Sequence, residues 1–260
     1  MLVLITGATS GIGKAFADMF IRQGDTVICV GRNPSELQKL SEIAGGRAVP
    51  FTVDLAIESE IDHFLQNLRE REFFPDLVIN NAGFGFHGLY ETAGQDCYDR
   101  MEDVNIRAVS RLTYHFYQEF LRKGAGGLIN VASVAGFYPG GPLMTQYYAT
   151  KAFVKSLTLG LAAENTNPAI KITALCPGPT WTGFTGMQNP RRFPFTLYMT
   201  TPEAVARQGY RDWQKGRLVS VPGMFNKIMR VLRIFVPLRL ELLLIRRFQA
   251  RLKGSSINTP

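Results

Sequence analysis

Residues 2–13 read LVLITGATSGIG, and this stretch decides the expected fold. Leu2 to Ile5 are all apolar, which predicts a short strand that is buried on both faces. From Thr6 to Gly13 the chain carries three glycines and then enters a pattern typical of a helix. A strand, a glycine turn and a helix in this order open a parallel α/β sheet, so we expect that fold class.

The glycine turn has the spacing of a dinucleotide-binding site. Gly7 permits the tight turn, and Gly11 lacks the Cβ atom that would block a pyrophosphate. Gly13 lets the helix pack close to the sheet, so that the positive end of its dipole faces the phosphates. We therefore predict that Gly7, Ser10, Gly11, Ile12 and Gly13 contact a dinucleotide cofactor. Taken alone, the glycines would also fit an ordinary turn.

A second group of side chains, Ser133, Tyr147 and Lys151, has the composition of a proton-transfer site. Tyr147 and Lys151 are four residues apart and share one face of a predicted helix. A phenol ionises near pH 10, and the Lys151 ammonium is expected to lower the pKa of Tyr147. Ser133 follows the apolar run 127–132, from where its hydroxyl can hydrogen-bond a substrate oxygen. A tyrosine and a lysine also fall at this spacing by chance, so the interpretation depends on context.

That context is supplied by Asn105 and by the segment Asn80–Gly83, which follows the apolar strand 77–79. Together with the glycine turn and the second group, these motifs resemble the short-chain dehydrogenase/reductase family over about residues 1–222. The resemblance implies a Rossmann-type, doubly wound sheet of about seven strands with helices on both faces. It also implies hydride transfer between a nicotinamide and a carbonyl or secondary alcohol.

Roles for four residues follow from the resemblance. Tyr147 is the expected general acid or base, and Ser133 is expected to hold the substrate oxygen. Lys151 is expected to lower the pKa of Tyr147 and to bind the nicotinamide ribose. Asn105 is expected to distort its helix and keep a water for proton resupply. Without the resemblance, Asn105 would be read as an amide bonded to backbone.

The resemblance implies further cofactor contacts at Asp54, Leu55, Asn81, Ala82, Gly83, Pro177, Gly178, Thr180 and Thr182. Asp54 and Leu55 are expected beside the adenine, and the 81–83 segment along the adenine ribose. The residues of the 177–182 segment are expected beside the nicotinamide. An ordinary strand-end turn would also explain Asp54 and Leu55, and an ordinary Pro/Gly-rich loop would also explain the 177–182 segment. Thr180 departs from the Val or Ile that is usual in the family.

Arg32 predicts a preference for NADP(H). It follows the second expected strand, where an acidic residue would accept the ribose hydroxyls of NAD and a guanidinium can pair with the 2′-phosphate of NADP. No carboxylate occurs between Arg32 and Glu36. A solvated loop arginine is the alternative. Lys14 is a possible helper that would equally suit a solvent-facing position.

Length and periodicity predict one α/β domain over 1–222, followed by a basic amphipathic helical extension over 223–260. The expected strands are 2–6, 26–30, 48–53, 76–80, 127–132, 170–176 and 218–221. The expected helices are 11–23, 34–44, 57–71, 96–123, 146–165 and 202–215.

The first strand begins at residue 2, which leaves no room for a secretory signal or an N-terminal anchor, so we expect a cytoplasmic protein. Cys29, Cys97 and Cys176 are widely spaced and are expected to be small core side chains rather than a disulfide or metal site. The three histidines have no metal-ligand spacing, so we expect no metal.

Aromatic residues near the motifs favour an apolar carbonyl or alcohol substrate. They are Phe84, Phe86, Phe137, Tyr138, Trp181 and Phe184, accompanied by His87 and Met187. Several of them would equally pack the core. Tyr148 is expected to point away from the site, because consecutive helical residues differ by about 100°. Neither the substrate nor the direction of the reaction follows from the sequence. A homodimer or homotetramer is expected, and the alternative to an enzyme is an NADP-binding regulatory or membrane-associated protein with little turnover.

The last forty residues hold most of the charge imbalance. Eight basic residues and a single acid, Glu241, give residues 221–260 a charge of +7 out of the chain's +8. Residues 224–235 have an apolar and a basic helical side, and Pro237 is expected to separate them from a second helix, 238–252. The apolar side can pack on the fold or on a partner subunit, lie in an anionic membrane surface through 223–253, or leave a basic face for nucleic acid. The last is disfavoured because no base-stacking aromatics accompany the arginines.

Overall fold

A seven-stranded sheet forms the centre of the computed structural model, which describes residues 1–181 and 199–253. All its strand pairs are parallel, and the strand order is β3-β2-β1-β4-β5-β6-β7. The strands are β1 Leu2–Thr6, β2 Thr26–Gly31, β3 Ala48–Thr52, β4 Leu77–Asn80, β5 Gly126–Val131, β6 Ile170–Leu175 and β7 Val219–Ser220. This confirms the predicted doubly wound α/β fold. The order reverses between β1 and β4, which is where ligands bind in open α/β sheets.

Helices alternate with the strands along the chain. They are α1 Gly11–Arg22, α2 Pro34–Ile43, α3 Glu58–Glu70, α4 Gln95–Glu102, α5 Val109–Lys123, α6 Thr145–Glu164, α7 Pro202–Gln214, α8 Met224–Leu232 and α9 Leu238–Lys253. Local chemistry sets some of their starts. Asn33 caps α2 by accepting from Ser35 N and Glu36 N, and Thr201 caps α7 with Pro202 in the first turn.

The core has two layers because successive strand residues point to opposite faces of the sheet. Val3 and Ile5 of β1 pack with Phe16 and Phe20 of α1 on one face. Leu4, between them in sequence, packs on the other face in the layer that includes residues of α3 and α5. This is why the strands read as continuous apolar runs.

The helix predicted over 96–123 changes its hydrogen-bonding pattern in the middle. Residues Asp103–Ala108 form a π-helical turn between α4 and α5. The i→i+5 bonding inserts a local bulge, which often occurs at functional sites. Asn105 lies in this turn and is fully buried, so the helix distortion expected at Asn105 is present.

The C-terminal extension forms the two expected helices, α8 and α9, on either side of Pro237. Ile245 of α9 is buried against Ala135 and Tyr148, which attaches the extension to the sheet domain. Among the described residues, no helix is long and apolar enough to cross a membrane.

Candidate active site

The glycine turn after β1 is built as a dinucleotide cradle. Gly7 and Gly11 have φ angles of +68° and +51°, which L side chains rarely adopt. A Cβ atom on Gly13 would lie 2.1 Å from the Gly7 carbonyl oxygen, so only glycine lets α1 approach the turn this closely. Ser10 caps α1 through its backbone with an exposed side chain, and Ile12 packs against the core. The turn therefore fits a pyrophosphate at the N-terminus of α1.

Thr6 connects this turn to the end of β4, and sequence analysis missed it. Its hydroxyl oxygen accepts hydrogen bonds from Asn81 N and Ala82 N, both at 2.9 Å. The Asn81 side chain donates to the Thr6 carbonyl oxygen at 2.9 Å and to that of Gly7 at 3.3 Å. These bonds bring together two predicted cofactor segments that are 75 residues apart in sequence. A threonine just before the first glycine was the only sequence signal.

Ser133, Tyr147 and Lys151 lie together beyond the end of β5. Ser133 shares a side-chain hydrogen bond with Tyr147. Lys151 Nζ donates to the Val131 carbonyl oxygen at 2.9 Å and lies 5.8 Å from the centre of the Tyr147 ring. Gly136 allows this approach, because a Cβ atom there would lie 2.5 Å from the Lys151 carbonyl oxygen.

Burial controls the protonation of this group. It raises the pKa of Tyr147 to about 12, against which the hydrogen bond from Ser133 acts in the lowering direction. Burial also lowers the pKa of Lys151 to about 8. The expected lowering of the Tyr147 pKa by Lys151 is therefore not seen in the protein alone, where desolvation outweighs the hydrogen bond from Ser133. At neutral pH the phenol keeps its proton and Lys151 is still mainly charged.

Asn105 joins the π-helical turn to the site. Its Nδ2 donates to the Phe84 carbonyl oxygen at 2.9 Å and to Thr150 Oγ1 at 3.1 Å, and its Oδ1 accepts from Phe84 N. Thr150 Oγ1 in turn donates to the Tyr147 carbonyl oxygen. Sequence analysis also missed Thr150, since a threonine just before Lys151 has no distinctive spacing. A Cβ atom on Gly83 would lie 2.9 Å from Asn105 Oδ1, so the predicted ribose segment passes directly beside Asn105.

At the adenine side, Arg32 is exposed at the end of β2 and contributes to the electrostatic environment of Asp54. Burial alone would raise the pKa of Asp54, but hydrogen bonds from Ala56 N and Arg100 hold it below its usual value. The Asp54 carboxylate is thus fixed at the end of β3, and Leu55 beside it is buried. Lys14 pairs with Asp18 one helical turn away, at 2.7 Å.

The segment after β6 carries the residues predicted beside the nicotinamide. The Pro177 carbonyl oxygen accepts from Val134 N at 2.9 Å and from Ser133 Oγ at 3.4 Å. Thr180 is buried, and its hydroxyl donates to the Gly178 carbonyl oxygen. A Cβ atom on Gly178 would lie 2.3 Å from the Asn226 side chain, so α8 packs directly on this segment. The predicted contact Thr182, together with Phe184 and Met187, lies outside the described residues.

Tyr148 is buried beside Tyr147, with the two ring centres 6.4 Å apart and edge to face, but its hydroxyl has a different partner. Its hydroxyl accepts from Gln249 Nε2 at 3.0 Å, and burial raises the pKa of Tyr148 to about 12. The Gln249 carbonyl oxygen lies 3.1 Å from Nε2 of His87. Helix α9 therefore contacts both the helix that carries Tyr147 and the loop after Gly83.

Cys29 and Cys176 are fully buried, and burial raises the pKa of each thiol to about 12. They behave as core side chains at neutral pH. Cys97 is partly exposed at the start of α4, so the expected core position is wrong for this cysteine. Within residues 1–181 and 199–253, no cluster of three or more His, Cys, Asp or Glu side chains could hold a metal ion.

Comparison with known proteins identifies the family. The chain matches the family described as short chain dehydrogenase over residues 1–192. It is 34% identical over 183 residues to YvrD, an uncharacterised oxidoreductase of Bacillus subtilis strain 168, covering 70% of this chain and 69% of the relative. It is 32% identical over 190 residues to an uncharacterised oxidoreductase of Staphylococcus aureus strain MRSA252, covering 73% of this chain and 82% of the relative. The chain therefore belongs to the short-chain dehydrogenase family of oxidoreductases.

Solved structures agree with this assignment. A short-chain dehydrogenase from Sphingobium yanoikuyae in complex with NADPH is 27% identical, with a TM-score of 0.76, and the match covers 91% of this chain and 96% of that one. A bulky-bulky ketone specific alcohol dehydrogenase from Comamonas testosteroni is also 27% identical, with a TM-score of 0.74 and coverage of 90% and 92%. A 4-hydroxyisoleucine dehydrogenase complexed with NADH, 22% identical with a TM-score of 0.77 and coverage of 85% and 97%, shares the fold.

Proposed function

We propose that the protein is an NADP(H)-dependent oxidoreductase that interconverts a carbonyl group and a secondary alcohol of an apolar substrate, with Tyr147 as general acid or base. The hydrogen bond between Ser133 and Tyr147, beside the buried Lys151 ammonium, is the observation that carries this proposal. A bound nicotinamide would supply or accept the hydride. The remaining chemistry falls to these three side chains.

In the reducing direction, Tyr147 would donate a proton to the carbonyl oxygen. A pKa of about 12 keeps the phenol protonated at neutral pH, so that the acid is present before the reaction begins. The Ser133 hydroxyl would hold the same oxygen. Lys151, whose ammonium is about 6 Å from the centre of the Tyr147 ring, would stabilise the phenolate that remains. The same three side chains would serve alcohol oxidation in reverse, with Tyr147 taking the proton as the base.

Arg32 supports NADP(H) as the cofactor. Its guanidinium is exposed at the end of β2, and no ion pair within the described residues engages it, so it is available to a 2′-phosphate. Lys14 is held by Asp18 and is a weaker candidate. The Sphingobium relative was solved with NADPH, and a serine dehydrogenase at 27% identity was solved with NADP+.

An apolar substrate is supported by the aromatic residues around the site. Phe84, Phe86, Phe137 and Tyr138 are all partly exposed in the two loops that follow Gly83 and Ser133. Partly exposed aromatic side chains beside a reacting group favour an apolar ligand. The Comamonas relative is specific for bulky ketones, which fits this class of substrate.

The test of this function is NADPH oxidation, followed by absorbance, with a panel of ketones, aldehydes, quinones, steroids and 3-ketoacyl thioesters. On the best substrate, Tyr147→Phe should lower kcat by about 10²–10⁴-fold, the range for loss of a general acid, while NADPH affinity stays within a few-fold. Tyr148→Phe is the matched control, because it removes a neighbouring hydroxyl that bonds Gln249 instead. Its kcat should stay within a few-fold of the original protein.

Retention of most activity in Tyr147→Phe would show that another group transfers the proton. Tight NADPH binding without turnover of any panel compound would favour a regulatory protein that holds the cofactor. These two outcomes are distinguishable, because the first requires measurable turnover and the second requires its absence.

The cofactor assignment has its own test. If Arg32 pairs with the 2′-phosphate, NADPH should bind more tightly than NADH by about 1.5–3 kcal/mol, as expected for a charge-assisted hydrogen bond. Arg32→Asp should narrow or reverse that difference, whereas Lys14→Ala should leave most of it. Isothermal titration with both reduced cofactors measures these values, and equal dissociation constants in the original protein would refute the assignment.

A further inference from the structure

The exposed apolar side chains of this protein are concentrated in one short segment. Eleven of the twenty-one large exposed apolar side chains in the described residues lie between Met224 and Leu244. We call these eleven the C-terminal apolar face. Its most exposed members include Phe235 at 80%, Ile234 at 75% and Met224 at 70%. A concentration of this kind marks an interaction site, since exposed apolar residues on a monomer are usually scattered.

Helix α8 places its polar side, and not its apolar side, against the protein. Asn226 is buried, donates to the Pro222 carbonyl oxygen at 2.7 Å and packs on Gly178. Met224, Ile228 and Val231 are on the opposite side of the helix and are 70%, 49% and 56% exposed. Packing on the protein's own fold therefore does not account for the apolar side of α8.

Helix α9 also exposes apolar side chains along its first half. Glu241 and Ile245 lie inward, one helical turn apart, and Glu241 pairs with Arg233 at 2.9 Å. Leu240, Leu243 and Leu244 face outward at 46%, 43% and 49% exposure. The two helices and the residues that join them thus share a single outward apolar character.

Basic side chains accompany this face. Lys227, Arg239, Arg246 and Arg247 are exposed, while the only acid of the segment, Glu241, is buried. Arg230 and Arg233 instead lie over the rings of Phe137 and Tyr138. A partner must therefore be apolar where the leucines and phenylalanines lie and anionic beside them. A second copy of this chain has the first property but carries the same positive charge, so two such faces would repel each other. An anionic lipid bilayer has both properties.

We propose that the C-terminal apolar face docks the protein on the surface of an anionic bilayer, with α8 and α9 lying in the interface and the basic side chains against the headgroups. The attachment is peripheral, because neither helix is long and apolar enough to cross a membrane. Helices α8 and α9 pack with one side on Gly178 and Tyr148, and the surface that contacts the bilayer is on their opposite side.

Flotation of the full-length protein with vesicles tests this proposal. The protein should float with mixed phosphatidylcholine–phosphatidylserine vesicles at low salt, and high salt or pure phosphatidylcholine should release most of it. The double variant Ile234→Ser/Phe235→Ser should lower the partition coefficient by at least about tenfold. Its matched control is Ile43→Ser/Phe74→Ser, which removes an isoleucine and a phenylalanine that are 85% and 50% exposed elsewhere.

The contribution of charge is tested separately. Arg246→Gln/Arg247→Gln should reduce the partition coefficient by about 25-fold, from a typical contribution of about fivefold per basic residue. Arg22→Gln/Arg47→Gln removes the same net charge from exposed positions in the sheet domain and should have little effect. Unchanged thermal midpoints in all four variants would show that binding, and not folding, has changed.

Three results would overturn the proposal. Equal flotation with neutral and anionic vesicles would show that charge has no role. Absence of flotation together with a dimer that dissociates in Ile234→Ser/Phe235→Ser would assign the face to a second copy of the chain. Absence of both flotation and a dimer would show that neither occupant covers it.

Discussion

Helices α1 and α8 have similar amphipathic patterns but opposite orientations to the core. Helix α1 buries Phe16 and Phe20 completely between the sheet and α7. Helix α8 buries Asn226 and exposes its apolar side. The comparison shows that periodicity predicts a helix with two unlike faces without stating which face meets the protein. The sheet explains part of the difference, because α1 follows a central strand, whereas α8 follows β7, the strand at the sheet edge.

The largest expected difference between α1 and the C-terminal apolar face is in their contribution to the stability of the protein. Phe20 is fully buried, with its ring 4.9 Å from that of Tyr210 of α7, so Phe20→Ala should lower the free energy of unfolding by about 3–5 kcal/mol. Phe235 is 80% exposed, and Phe235→Ala should change the free energy of unfolding by no more than about 0.5 kcal/mol. Urea unfolding followed by circular dichroism measures both values. A loss of several kcal/mol in Phe235→Ala would mean that the C-terminal apolar face is buried in solution.

The next difference is in the response to pH. Burial lowers the pKa of Lys151 from 10.5 to about 8, so between these values the unfolded chain holds a proton that the folded protein has released. The stability of the original protein relative to Lys151→Met should therefore rise between about pH 8 and 10.5, by up to about 3 kcal/mol. Below pH 8 the difference in stability between the original protein and Lys151→Met should be independent of pH.

The exposed C-terminal arginines provide the contrast to Lys151. Arg246→Gln should alter stability by the same small amount across this pH range, because an exposed guanidinium stays charged throughout. Unfolding curves at a series of pH values test both statements. A flat difference between the original protein and Lys151→Met would mean that water reaches Lys151 freely.

The smallest expected effect concerns the contact between α8 and the segment that contains Gly178. Asn226→Ala removes the hydrogen bond to the Pro222 carbonyl oxygen and should cost about 1 kcal/mol of stability. Lys227→Ala, on the neighbouring exposed residue, should cost almost nothing. If thermal unfolding shows equal midpoints for the two variants, the polar side of α8 is not what attaches it to the Gly178 segment.

Most of the fold could be predicted because strands and helices of an α/β protein have local signatures. All seven expected strands are present, since buried parallel strands read as short apolar runs. Periodicity alone predicted an unbroken helix over 96–123, and only the family resemblance implied the distortion at Asn105 that the π-helical turn provides. The π-helical turn there is held by the bonds of Asn105 to Phe84 and Thr150, which come from distant parts of the chain. No local pattern records those bonds.

The candidate site divides in the same way. The glycine turn and the Tyr147–Lys151 pair are separated by a few residues each, so their spacing was visible in the sequence. Thr6, Thr150 and Asn226 were missed because their contacts join segments that lie far apart along the chain. The pKa of Tyr147 was expected to fall and instead is raised, since the extent of desolvation is a property of the assembled surroundings.

The sequence by itself determined the family, the sheet and the identity of the groups that meet at its carboxyl edge. These properties rest on local periodicity and on motifs in which the required residue types stand close together. Tertiary structure alone decided the protonation of Tyr147, the bonds that hold the π-helical turn at Asn105 and the outward orientation of α8. Each of these depends on which surfaces are removed from water when distant segments pack, and burial of that kind is set only by the assembled chain.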